Sequence, residues 1–288
     1  MMCHSGPGRR ASALLAAAGA AGAARAGSAA LRRWPPGEAA LWERANHAGR
    51  PVDLYGGLAA ASATVVATGL APGLPGRVRA AAALATLTAA GCGAYDDQVG
   101  SCGPRGFRAH LSALRRGRIT SGTVKLLGVG TAALAAGALL KTRPADKLLA
   151  GVVVAGTAHL VNLLDVRPGR AAKALLVMGA PVLLRGGVAG LVAAAPVGAA
   201  AAVLGDDLGE RTMLGDAGAH ALGAALGVSA VVANGRAGLA LRAAVLVALA
   251  AAGERAGAAG GERGGFGETL WDLPGIRAVD ALGRRAGQ

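Results

Sequence analysis

Aromatic side chains are nearly missing from this chain: Trp, Tyr and Phe together make up 2% of 288 residues. A soluble core of this size normally uses more of them, because each buries a large area. Charge is scarce too, at 16%, against about 25% in soluble domains. The three cysteines, Cys3, Cys92 and Cys102, have no paired spacing, which excludes a zinc ribbon or a disulfide framework. Acids number 16 against 30 lysines and arginines, a net charge of +14. The basic residues fall in short clusters between apolar runs rather than on one stretch, which argues against a nucleic-acid partner.

What is present is Ala, Gly, Leu and Val, with a hydrophobic fraction of 53% and mean hydropathy +0.46. Small residues suit helices whose backbones approach closely in lipid. The expected fold class is therefore all-α, a polytopic membrane bundle. Spans of roughly 17–25 residues are read at 11–31, 54–71, 78–95, 123–140, 147–164, 171–187, 188–205, 217–233 and 237–252. The sixth and ninth are short, and little more than Arg185-Gly186-Gly187 separates the sixth from the seventh. The first also reads as a signal peptide; an uncleaved helix is preferred because the later parity works with it. Residues 1–252 would form the transmembrane domain. Residues 253–288 would form a cytoplasmic tail with a short amphipathic helix on Leu270, Trp271, Leu273, Ile276, Val279 and Leu282. That helix is expected to lie on the membrane surface.

One alternating set of loops carries 18 lysines and arginines and the other 9, so the richer set is assigned to the cytoplasm. The N-terminus is then outside, the C-terminus inside, and the protein a multi-pass plasma-membrane protein. Three groups of acids fall on the cytoplasmic side: Asp96-Asp97 closing the third span, Asn162 and Asp165 closing the fifth, and Asp216 opening the eighth. An even number of crossings separates the groups, so this placement does not depend on span edges. Acids at membrane depth are costly and usually functional. Adjacent carboxylates repel, and a hard cation such as Mg²⁺, which takes carboxylate and phosphate oxygens together, relieves that. Arg105, Arg108, Arg115, Arg116 and Arg118 follow the pair directly, and arginine suits phosphate. The pattern suggests a metal-dependent reaction on a phosphorylated substrate.

Plainer readings stand beside this one. Asp96-Asp97 also reads as a solvated cap, Asp165 as a partner of Arg167 or Arg170, and Asp216 as a helix N-cap. The arginines also read as a topology signal with lipid headgroup contacts. His110 reads as a loop residue, and His159 and His220 as structural histidines. Asp206 and Asp207, in "GDDLGER", read as a polar turn.

Four segments in order, "NHAGRPVDLYGGLA" from Asn46, "DDQVG" from Asp96, "HLVNLLDVRPG" from His159 and "MLGDAGAHALGAALG" from Met213, resemble the polyprenyl-phosphate N-acetylhexosamine-1-phosphate transferases. The resemblance implies transfer of a phospho-sugar from a UDP-N-acetylhexosamine to polyprenyl (undecaprenyl) phosphate, with release of UMP, in envelope polysaccharide or peptidoglycan synthesis. It implies Mg²⁺, with Mn²⁺ as a substitute, and Asp216 and Asp97 as metal ligands. Asp96, Asp97 and Asp165 would be catalytic, with Asp96 or Asp97 binding metal or deprotonating the lipid phosphate. Asn162, Arg105, Arg108, Arg116 and Arg118 would bind substrate; a homodimer is left open. The chain departs from the family pattern at His159, Val166, Pro168, Gln98 and Ala219-His220, and residues 253–288 contain no histidine. A second reading is therefore an inactive relative that binds lipid carrier or partners in envelope assembly. A small transporter ranks below both, because the acids sit at one face rather than at the midplane.

Overall fold

The computed structural model describes residues 7–100, 106–260 and 274–282. Each of the nine expected spans is a helix: α1 (Pro7–Arg33), α2 (Tyr55–Leu70), α3 (Gly76–Val99), α5 (Ser121–Leu140), α6 (Pro144–Leu164), α7 (Arg170–Arg185), α8 (Gly187–Leu208), α9 (Gly215–Ala233) and α10 (Arg236–Gly260). Two short helices are added, α4 (Phe107–Arg115) and a C-terminal one, α11 (Pro274–Ala281). The chain is an all-α helical bundle. Six of its helices, α1, α5, α6, α8, α9 and α10, are long and apolar enough to cross a membrane. Two others, α2 and α7, have 16 residues each, and the apolar stretch of α3 is confined between Arg79 and Asp96. Both α7 and α8 carry an internal proline, Pro181 and Pro196, which neighbouring helices make tolerable in membranes. The doubtful break between them is real: Gly186 and Gly187 take φ of 73° and 70°, a region that favours glycine.

The bundle is built around α9, which is buried on nearly every side and packs along α3, α6, α8 and α2. A helix that is apolar all round belongs in such a position. The approach is made by glycine. A side chain on Gly57 of α2 would overlap the Leu214 carbonyl, one on Gly93 of α3 the Asp216 carbonyl, and one on Gly223 of α9 the backbone of Ala158. Small residues at these contacts let backbones touch, which is how helices associate without a hydrophobic driving force.

Polar bonds mark two ends of the bundle. At one end, Arg32 reaches Asp53 at 2.8 Å and Asp206 at 3.2 Å, tying α1 to α8. At the other, Arg236 reaches Asp146 at 2.6 Å and Lys141 Nζ donates to the Asn234 carbonyl at 2.9 Å. The first end also carries a small hairpin, β1 (Glu43–Ala45) and β2 (Pro51–Asp53), antiparallel with Glu43 opposite Asp53.

Two expectations change here and one is kept. The helix α3 continues to Val99, so Asp96 and Asp97 close it from within its last turn, as expected. The basic loop folds in part into α4, whose amphipathic pattern lets it pack on α5. The tail boundary at 252 falls inside α10, which runs to Gly260. In the described part of the tail, Ile276 and Val279 of α11 pack against Leu160, Leu164 and Ala174, while Leu282 just after it is exposed. Leu270, Trp271 and Leu273 lie outside the described residues, as does Arg105.

Candidate functional site

Four of the quoted segments meet at the end of the bundle that carries the hairpin. Asn46 makes the hairpin turn: its Oδ1 accepts from the Ala48 and Arg50 amides at 2.9 and 3.0 Å. Its Nδ2 donates to Glu210 Oε2 at 2.6 Å, just before α9. Beside this turn, Thr212 pairs with Asp53 as an isolated bridge and accepts from the Gly56 amide at 2.9 Å. The start of α2 is thereby fixed against the start of α9, and the Gly56-Gly57 pair is explained by that proximity.

Asp97 works on α9 from the end of α3. Its Oδ1 accepts from the Asp216 amide at 2.9 Å and its Oδ2 from the Ala217 amide at 3.0 Å. Helix α9 has no side-chain cap of its own, and a carboxylate suits the positive end of a helix. Gly215, with φ of 60°, makes the turn that presents these amides. The carbonyl of Asp97 accepts from Arg44 on β1.

Asp96 and Asp216 share a cation. The Lys125 ammonium lies 2.5 Å from Asp96 Oδ2 and also pairs with Asp216 Oδ2. Thr120 caps α5, accepting from the Thr123 amide at 3.1 Å, and this start places Lys125 one turn into the helix. Asp96 also lies close to the Ser121 side chain. Behind Asp216, buried His220 donates from Nδ1 to the Asp216 carbonyl at 3.0 Å, so it serves structure.

Asp165 is the C-cap residue of α6 and lies close to the Gly215 backbone at the start of α9. Burial pushes its carboxyl well above the usual range, and nearby Asp207, Asp216 and Asp97 add repulsion. Asp207 is 3% exposed and accepts from the Gly169 amide; it is a buried acid and not the polar turn its sequence suggests. Asp165 and Asp207 line a narrow crevice of about 20 Å³, with room for little more than a water, together with Asn46, Arg167, Glu210 and Thr212. Asn162 is half-buried, and its carbonyl accepts the Asp165 amide at 3.1 Å.

The arginines expected to bind phosphate stand apart. Arg108, Arg116 and Arg118 are exposed, and Arg116, just past α4, donates back to Ser112 of that helix at 2.7 Å. The cations that do reach the acids, Lys125 and Arg44, were not singled out from sequence. Lys125 had one usable signal: it is a lone cation inside an apolar span, one turn from the same end as the acids.

Oxygen donors of this kind suit Mg²⁺ by chemistry, but these residues as arranged do not fit it. An ammonium holds the place between Asp96 and Asp216, and both oxygens of Asp97 already accept amides. Among the described residues, no group of three His, Cys, Asp or Glu side chains is placed to hold a metal ion. No family model and no curated protein matches the chain.

Proposed function

We propose that the protein is a membrane sugar-1-phosphate transferase. It moves a phospho-N-acetylhexosamine from a UDP-sugar to a polyprenyl phosphate at the plasma membrane, and UMP leaves. The observation that carries this reading is the meeting of Asp96, Asp97 and Asp216, from α3 and α9, with Asp165 and the Asn46 hairpin at one end of the bundle. These are the segments on which the family resemblance rests. Phosphoryl transfer asks a protein mainly for positioning and charge neutralisation. Here Asp97 fixes where α9 begins, and with it Asp216. Lys125 and Arg44 supply positive charge beside the acids. The test is a panel of UDP-sugars with undecaprenyl phosphate and purified protein, read as UMP formed. UMP from one sugar, lost in Asp216→Asn, supports the reading; no UMP from any of them overturns it.

A second reading is a non-catalytic member of the same fold that binds the lipid carrier. It is favoured by Lys125, which already pairs the two acids, and by Pro168 in the loop beside the crevice. Saturable binding of undecaprenyl phosphate without turnover distinguishes it.

A further inference from the structure

The cluster of Asp96, Asp97 and Asp216 is balanced from within. Lys125 pairs with two of these carboxylates, the positive end of α9 lies against the third, and Arg44 donates to the main-chain carbonyl of that third residue, Asp97. The three side chains of the Lys125 network are shielded, with 18%, 16% and 24% of Lys125, Asp96 and Asp216 exposed. A divalent ion entering between Asp96 and Asp216 has to expel the ammonium. Lys125 then faces burial without a partner, which is costly. It also competes against a cation tethered to α5, whose effective concentration is of millimolar order or higher.

We propose that the Lys125 ammonium is the resident cation of this site, standing between Asp96 and Asp216 where a divalent ion would otherwise bind. The site is a carboxylate–ammonium–carboxylate bridge that joins α3, α5 and α9, and it needs no metal to hold its acids together. One side chain thus holds the gap between Asp96 and Asp216 that a divalent ion could compete for in this network. The inference does not rest on the transferase reading, since it concerns which cation the acids hold and not what they act on.

Mn²⁺ binding to the purified full chain in lipid nanodiscs, followed by electron paramagnetic resonance, tests it. Wild type is expected to show no saturable Mn²⁺ site at sub-millimolar metal. Lys125→Met removes the charge at similar length and is expected to gain one bound Mn²⁺ per chain. The double variant Lys125→Met/Asp216→Asn is expected to lose it again. Lys125→Arg keeps a cation and is expected to stay free of Mn²⁺. A wild-type site for Mn²⁺ that Asp216→Asn removes overturns the proposal, and so does a folded Lys125→Met that gains no metal. If Lys125→Met does not fold, the comparison of wild type with Asp216→Asn decides the question alone. No sugar nucleotide enters the measurement, so its result is separate from that of the UMP assay.

Discussion

Asp97 accepts the two amides that open α9 from a helix more than a hundred residues earlier in the chain. Asp97→Ala is expected to destabilise the fold by about 2 kcal/mol, the range of a lost cap with charge-assisted bonds, read as a lower Tm in detergent. Asp97→Asn keeps one acceptor oxygen and is expected to fall between the two. Asp165 has the opposite character. Its carboxyl is raised by burial and by acid neighbours, so the folded state holds its proton more tightly than the unfolded chain. That contribution is fully present below the ordinary carboxylate pKa and is lost as pH rises through the raised one. Asp165→Asn is therefore expected to be more stable than wild type at neutral pH, with the gap closing in acid. A Tm series across pH checks this, and a gap that widens in acid refutes it. At this scale the acids were legible and the cations were not. Parity places an acid at one end of the bundle from span counting alone. Whether a lone Lys125 points into the bundle or toward solvent depends on helix rotation, which an Ala-rich span with apolar residues all round does not encode.

Among the helices, contacts are set by where a side chain is missing. Gly91 and Gly93 stand two residues apart on α3. A methyl on Gly91 meets nothing within 4 Å, whereas one on Gly93 overlaps the Asp216 carbonyl. Gly91→Ala is expected to be neutral or to stabilise by about 0.5–1 kcal/mol through lost unfolded-chain freedom. Gly93→Ala is expected to cost about 1–3 kcal/mol by forcing backbone apart, seen as a reduced Tm. The tail helix α11 gives another element-scale outcome. Its Asp280 makes two bonds to Arg170 Nε at 3.1 and 3.2 Å and one to Nη2 at 2.9 Å, and its carbonyl accepts from Lys173 at 2.5 Å. Asp280→Ala leaves Arg170 buried without that carboxylate. It is expected to release α11, measured as faster limited proteolysis after residue 260 with the bundle Tm little changed. The existence of each long helix was readable from apolar length. Its ends were not: α3 and α10 continue beyond their apolar stretches because helical hydrogen bonding does not stop where hydropathy does. The contact between Gly93 and Asp216 was hidden among 48 glycines.

For the molecule as a whole, the polar bonds separate an acid-rich end from an Arg236–Asp146 end, and the excess of basic loop residues goes with the first. The acid-rich end is expected in the cytoplasm. Fusions give the check: a green fluorescent reporter after residue 288 should fluoresce, and alkaline phosphatase joined at residue 143, between α5 and α6, should be active. The reverse pattern inverts the assignment. The architecture was accessible from composition because lipid forces every backbone group into helices, and a chain so poor in aromatics and charge has few other ways to be stable.

The cap on α9 also orders events during synthesis. Asp97 leaves the ribosome well before Asp216, so the end of α3 must wait in the bilayer until α9 arrives to receive it. Until then a carboxylate pair stands at the end of α3, with Lys125 of α5 as the next segment able to quiet it. The two acids thus meet their partners in chain order: Lys125 arrives first and serves Asp96, and the amides of α9 come later and serve Asp97.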